Sequence, residues 1–186
     1  MDKKSIVKDV IVVALILFAI TSVAAAILAS VNSVTAPVIA ENEKKAQEIA
    51  MKAVLPEATS FDKIEFVQTE NTTVSEIYKS DAGYAIKVAP KGYGGAISMI
   101  VGVDNDLKVT GVEIISQSET AGLGAKCTDG EFKAQFVGKT ENITVTKNGA
   151  KENEIDAISS ATVTSKAVTK GVNEAIAAAK EVKEDK

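Results

Sequence analysis

The sequence has no histidine, no arginine and no tryptophan, and it has one cysteine, Cys127. A lone cysteine excludes a disulfide within the chain. Without histidine, an intrachain Cys/His zinc site or iron–sulfur site lacks ligands, so no metal site is expected. Serine–histidine and cysteine–histidine hydrolase mechanisms fall for the same reason, because no imidazole is present to act as base. All 21 basic residues are lysines, set against 25 acidic ones for a net charge of -4. They form no basic cluster, so a nucleic-acid partner is not expected. Redox chemistry in such a chain requires an organic cofactor. Aromatic residues make up only 4% although 46% of the chain is hydrophobic, and part of that apolar content is a single block. The length of 186 residues suits one medium domain or two small ones.

Charge is also missing from Val10 to Ala40. The apolar heart of that stretch, Val10 to Val31, is 22 residues long, and a helix needs about 20 to cross the hydrocarbon core of a membrane. A cleaved signal peptide is the competing reading, and the alanines at 24–26 imitate a cleavage site. Its apolar region should be shorter, about 7–15 residues, so a retained anchor is expected. No cysteine lies directly after the span to carry a lipid there. Lys3, Lys4 and Lys8 precede it, and the next basic residue is Lys44. That asymmetry places the N-terminus in the cytoplasm and the bulk of the chain outside the cell membrane, as a single-pass protein. The expected organisation is a cytoplasmic segment over 1–9, a span over 10–31, a juxtamembrane helix or stalk over 32–56, and an outer domain over 57–186.

Pro37 suits a first helical position and Pro56 a stop, which predicts a helix from Pro37 to Leu55 continuing the span. Ile39, Ala46, Ile49, Ala50, Ala53 and Val54 give it an apolar stripe. Residues 57–75 are mixed, with one candidate strand over Ile64–Thr69. Thereafter "EIYKS", "GYAIKVAP", "AISMIVGVD", "KVTGVEIIS" and "NITVTK" read as strands. "DNDLK" at 104–108 makes a hairpin of residues 96–115. Glu131–Val137 reads as helical, and a final helix runs from Thr162 to Glu184 with Val168, Val172, Ala175, Ile176 and Ala179 on one face. The sequons at Asn71 and Asn142 read as chance matches.

Three stretches carry the chemistry: "KGYGGAI" (91–97), "SETAGLG" (118–124) and "DAISSATVTS" (156–165). Taken singly they are two turns and a redundant helix cap. The last holds five hydroxyl residues within seven positions: Ser159, Ser160, Thr162, Thr164 and Ser165. Together the stretches make sense as one pocket. A helix N-terminus offers free N–H groups and partial positive charge, which suit a phosphate. The hydroxyls add donors, and Ser160 and Ala161 are small enough to let a ligand approach the backbone. Gly92, Gly94, Gly95, Gly122 and Gly124 would let a flat ring come close. The pocket lacks a base, a metal ligand and an arginine clamp, and is expected to hold a phosphorylated cofactor rather than to cut a bond.

The order G-Y-G-G, then S-E-T-x-G-L-G, then D-x-x-S-[GS]-A-T-x-T-S at a helix start resembles the covalent FMN-binding domain. That domain occurs in the G subunit of the Rnf electron-transport complex and the C subunit of the sodium-pumping NADH:quinone reductase. The single span fits too, and the chain length favours the Rnf protein. The resemblance implies an α+β fold: one N-terminal transmembrane helix, then an FMN-binding domain with an antiparallel sheet and flanking helices, its motif region over 84–180. It implies FMN joined by a phosphoester to Thr162, with no catalytic residue in the chain. Cofactor contacts would come from Ser159, Ser160, Ala161, Thr164, Ser165, Glu119, Thr120, Gly122, Leu123, Gly92, Gly94 and Gly95. A separate flavin transferase would build the bond from FAD with magnesium, reading the motif from Asp156. The implied role is electron transfer inside an ion-translocating ferredoxin:NAD oxidoreductase, beside other membrane subunits. The sequence departs from the family pattern at Ser160, where glycine is common, at Gln117, where histidine is frequent, and at Ala121, the usual proline. A stand-alone membrane-tethered flavin reductase is the alternative, with Glu119, Tyr84 and Tyr93 as candidate proton donors. A cofactor-free tethered binding module is the third class.

Overall fold

The computed structural model describes residues 3–65 and 72–184, with side chains from residue 9 onward. Two units are each compact: Met1–Lys44 and Lys45–Lys186. A single helix, α1, runs from Lys3 to Val54 with Pro37 inside it. The expected helix start at Pro37 is therefore not observed. Proline removes one N–H from the ladder, and the turns before it carry extra bonds: Ser33 Oγ donates to the Ser30 carbonyl and Thr35 Oγ1 to that of Val31. The segment from Asp9 onward is long and apolar enough to cross a membrane, and its most hydropathic window is wholly exposed within the chain.

The second unit is built on a five-stranded antiparallel meander: β1 (Asp62–Ile64), β2 (Val74–Lys79), β3 (Gly83–Val88), β4 (Ser98–Asp104) and β5 (Val109–Ser116), in that spatial order. Only the first residue of the expected Ile64–Thr69 strand falls in β1; residues 66–71, including the Asn71 sequon, lie outside the described residues. A 3₁₀ turn (Gly124–Thr128) and the short helix α2 (Gly130–Ala134) follow the sheet. Next come a parallel pair, β6 (Thr144–Thr146) and β7 (Glu154–Asp156), and the long helix α3 (Thr162–Glu184). The expected bounds of α3 agree with the structure; β7 has no counterpart among the expected strands.

Alternation along the strands sends side chains to two cores. Ile86, Val88, Met99, Val101 and Val103 bury one sheet face with Val168, Val172, Ala175, Ile176 and Ala179 of α3. Ala85 and Ile100 point the other way and meet Ala50, Met51, Val54 and Leu55 at the end of α1. That buried stripe differs from the expected one: Ile39 and Ile49 are exposed, and Met51 takes part. Val54 comes so close to the sheet that a Cβ on Gly102 would stand 2.7 Å from its carbonyl oxygen. Thr110 Oγ1 donates to that carbonyl at 2.6 Å, capping the helix end. Gln47 adds a polar tie, donating to Glu76 Oε2 and to Tyr78 Oη at 2.8 Å each and accepting from Lys87 Nζ at 2.9 Å.

Candidate functional site

The last helix starts where the hydroxyl-rich motif predicts. Ser160 adopts φ 60°, a left-handed turn that reverses the chain into α3. Ser165 locks this turn from inside: its Oγ accepts the N–H of Ile158 at 2.9 Å and donates to the Ala161 carbonyl at 3.0 Å. The backbone N–H of Ser165 is the first to be taken, by Ala161 at 3.0 Å. The N–H groups of Thr162, Val163 and Thr164 precede it, at positions with no intrahelical partner. Among the described residues no acceptor meets them.

The hydroxyls of the motif are sorted by their partners. Ser165 is fully buried and both donates and accepts. Thr164 is 1% exposed, and its Oγ1 donates to Glu119 Oε2. Thr162 is half-buried, lines an open cleft, and has no side-chain bond among the described residues. Ser159 and Ser160 are exposed.

The cleft has a volume of about 490 Å³, within the usual range for small-molecule sites of about 300–1,000 Å³. Ser160, Ala161, Thr162, Val163 and Thr164 form one wall; Glu119, Thr120, Leu123 and Gly124 form another, with Tyr93 at the rim. The sequence motifs at 91–97, 118–124 and 156–165 thus meet around one space. Tyr93, Leu123 and Val163 are three of the four exposed large apolar side chains described outside α1. They give the cleft an apolar rim suited to a flat ring. Val163 is absent from the residues expected to touch a cofactor, although its signal is in the sequence: it is an apolar residue off the buried face of α3.

Other expected contacts lie elsewhere. Gly92, Gly94 and Gly95 do not line the cleft. A Cβ on Gly92 would strike the Glu119 carboxylate, and one on Gly94 the Ser118 carbonyl. A Cβ on Gly124 would stand 2.7 Å from Thr164 Oγ1 and 2.8 Å from Glu119 Oε2. These glycines make room for Glu119. Gly122 has φ 76° and open space around it. Asp156 and Ser159 border a separate polar depression of about 450 Å³ with Lys126, Asp129 and Gln135. A larger groove of about 550 Å³ runs along α3 beside β6 and contains none of the motif residues; it begins at Lys166 and Thr169, just beyond the motif. Tyr84 is buried in the main core, away from the cleft.

Glu119 is only 8% exposed. Burial pushes its carboxyl up. The Thr164 hydroxyl and the N–H groups of Gly94, Tyr93 and Gly95 more than offset this and hold it below the usual glutamate range. Gln117, standing where the resemblance has histidine, accepts the N–H of Glu119 with its Oε1. Behind the carboxylate, Cys127 is buried and its thiol is pushed up to about 11, first by burial and then by the charge of Glu119.

Residues 92–177 match the FMN-binding domain family, and residues 1–54 match the RnfG N-terminal region. Over 189 aligned positions the chain is 40% identical to the G subunit of the Na+-translocating ferredoxin:NAD+ oxidoreductase complex of Acetobacterium woodii, covering 91% of each chain. The chain belongs to the RnfG family. The proton-translocating counterpart of Clostridium ljungdahlii is 37% identical, over 81% of this chain and 80% of its own. The G subunit of the ion-translocating oxidoreductase complex of Methanosarcina acetivorans is 32% identical, over 94% and 95%. Among solved structures, the C subunit of the Na+-translocating NADH-quinone reductase of Parabacteroides distasonis superposes with TM-score 0.56 at 20% identity, covering 73% of this chain and 89% of that one. NqrC of Shewanella oneidensis gives 0.52 at 18%, covering 72% and 74%. This establishes the antiparallel FMN-binding fold and agrees with the architecture implied by the sequence motifs.

Proposed function

We propose that this membrane-anchored flavoprotein carries electrons through an FMN linked to Thr162, within an ion-translocating ferredoxin:NAD+ oxidoreductase complex. The observation that carries the attachment is the sorting of the hydroxyls. Thr164 and Ser165 are buried and committed, whereas Thr162 opens into the cleft beside free helix N–H groups. Those N–H groups and the hydroxyl of Ser160 suit a phosphate, and Tyr93, Leu123 and Val163 suit the ring. When bound, FMN supplies reversible electron uptake, while the protein supplies position and electrostatics.

Attachment requires a second protein. The Thr162 oxygen would bond to the flavin-side phosphorus of FAD, its proton passing to a base on the second protein, while the pyrophosphate bond breaks and adenosine monophosphate leaves. The chain has no histidine to drive this step; a magnesium-dependent flavin transferase reading Asp156 and Ser159 supplies the base and the metal. Asp156 and Ser159 share one polar depression next to the motif, a surface suited to such a visitor. Glu119 accepts from every donor around it and has no proton to give, Tyr84 lies outside the cleft, and Tyr93 stands exposed at its rim. None of the three candidates is a buried proton donor facing the cleft, which favours an electron carrier over a free-standing reductase. The span carries no charged residue to line an ion path, so ion movement belongs to neighbouring subunits. Its flanking lysines favour a cytoplasmic N-terminus and an outer flavin domain.

The decisive experiment is Thr162→Ala, co-expressed with a flavin transferase. The variant is expected to fold, reach the membrane and lose all covalent flavin, read by in-gel fluorescence and peptide mass spectrometry. Flavin retained on the variant, or found on Thr164 of the unaltered chain, overturns the assignment.

A further inference from the structure

We propose that Glu119 is a fixed, buried anion at the floor of the cleft that holds the reduction potential of the bound flavin low. The inference rests on the reading of the cleft as an FMN site. It begins with what surrounds the carboxylate. Thr164 Oγ1 donates to Oε2, the N–H of Gly94 donates to Oε1 at 2.8 Å, and the N–H groups of Tyr93 and Gly95 are directed at the same group. Consecutive backbone N–H groups of this kind form an anion-binding concavity. Three of these partners are backbone N–H groups that can only donate, and together with the Thr164 hydroxyl they suit an ionised carboxylate, which only accepts.

The seat is built for this group. Side chains are excluded at Gly92, Gly94 and Gly124 by Glu119 or by the backbone next to it. Among the described residues no lysine forms an ion pair with Glu119, so its charge is stabilised by dipoles and not cancelled by a cation. Burial and, after it, the charge of Glu119 push the Cys127 thiol up. Charges interact more strongly in the protein interior than across water. Glu119 lines the same cleft as Thr162, so electrons added to a flavin in that cleft enter the field of a like charge. Each electron comes from the reductant and passes on to the acceptor; Glu119 is neither oxidised nor reduced and releases no proton. Its role is to position the motifs and to set the energy of the reduced cofactor.

The test uses the full chain in detergent, loaded by co-expression with a flavin transferase and titrated spectroelectrochemically at pH 8. Dithionite serves as reductant and ferricyanide as oxidant. Glu119→Gln keeps the shape and an acceptor oxygen, and its amide can donate to Thr164 Oγ1, but the charge is gone. Its potential is expected to rise by at least tenfold in the reduction equilibrium, about 59 mV for one electron. Thr164→Val keeps the charge and removes a donor dipole, so its potential is expected to fall. An unchanged potential in Glu119→Gln overturns the inference. Where that variant fails to fold, Thr164→Val decides alone, and an unchanged or raised potential there overturns the inference. Loss of flavin from the unaltered chain instead sinks the FMN reading itself, a result that the flavin absorbance separates from the others.

Discussion

Ser160 carries the strain of the helix start. Its φ of 60° lies in the left-handed region, which costs a non-glycine residue roughly 1–2 kcal/mol. Glycine would relieve that cost but lose more chain entropy on folding, by about 0.5–1 kcal/mol. Ser160→Gly is therefore expected to stabilise the flavin-free chain by up to about 1.5 kcal/mol. Ser160→Val, with a branched Cβ in the same turn, is expected to cost at least about 1 kcal/mol beyond serine. Thermal unfolding of the second unit's transition ranks the three; a valine variant as stable as serine means the turn is not left-handed in solution. The glycine that the resemblance has at this position would thus have a conformational reason. The hydroxyl cluster at 159–165 is legible in the sequence, because five such residues at one helix start exceed what a cap requires. Their separate roles are not. Thr164 is spoken for by Glu119, 45 positions away, and no local pattern reports a tertiary partner at that distance. The same holds for the glycines: spacing marks Gly92, Gly94 and Gly124 as special, but the group they make room for is a carboxylate from another loop.

At the scale of elements, long periodic segments are legible and short or tertiary ones are not. The bounds of α3 follow from a hydroxyl-rich start and a clear buried face. β7 has three residues and one buried side chain, too few for a period to show; it exists because β6 lies beside it. The end of α1 defeats a reading by polarity, since Ile49 is apolar yet exposed while Gln47 is polar yet bound. That end of the helix is held to the sheet by the Gln47–Glu76–Tyr78 network, which makes a pH prediction. Burial pushes the Glu76 carboxyl up, but hydrogen bonds from Tyr78, Gln47 and Lys63 and the charge of Lys87 bring it down to about 2, against an ordinary value of 4.5. Tyr78 moves the other way, up to about 12, through burial and the adjacent Glu76. A carboxyl with a depressed folded pKa stabilises the fold above its unfolded value and loses that contribution as pH falls through the folded one. The window therefore runs from about pH 4.5 down to about 2. With partial exposure discounted, the contribution is on the order of 2 kcal/mol. Glu76→Gln is expected to be less stable at pH 7 by about that amount, with the difference from the unaltered chain closing across the window. Other depressed carboxyls, Asp81 and Glu119 among them, act on both proteins alike, so the difference curve isolates Glu76. Parallel denaturation curves at every pH would remove Glu76 from the account.

At the scale of the whole molecule, function depends on which side of the membrane the cleft faces. Two features of the chain bear on this. The uncharged stretch from Val10 to Ala40 separates Lys3, Lys4 and Lys8 from Lys44. Orientation follows lysine and arginine counts close to the span, and this chain has three lysines within six residues on one side and none in the twelve residues that follow Val31 on the other. Asp2 and Asp9 do not offset that bias, because acidic residues contribute little to it. The second feature is that the unit beginning at Lys45 contains its own cores, including Ala50, Met51, Val54 and Leu55 from the end of α1. Cleavage next to Lys44 should therefore free a body that remains folded, whereas cleavage at the expected boundary after residue 56 would strip four buried side chains from the sheet. Met51, Val54 and Leu55 each contribute about 1.5–3 kcal/mol by burial, so limited proteolysis should stop at the first position. Trypsin added to intact cells is expected to release a fragment starting near residue 45, and mass spectrometry identifies its first residue. Inverting the bias, with Lys3, Lys4 and Lys8 replaced by glutamine and lysines placed at Asn32 and Ser33, should protect the same fragment in a substantial fraction of molecules. Full protection of the unaltered chain in intact cells, with digestion only after lysis, would place the flavin domain in the cytoplasm. A mature chain beginning near Ala26 would instead show that the span is a cleaved leader.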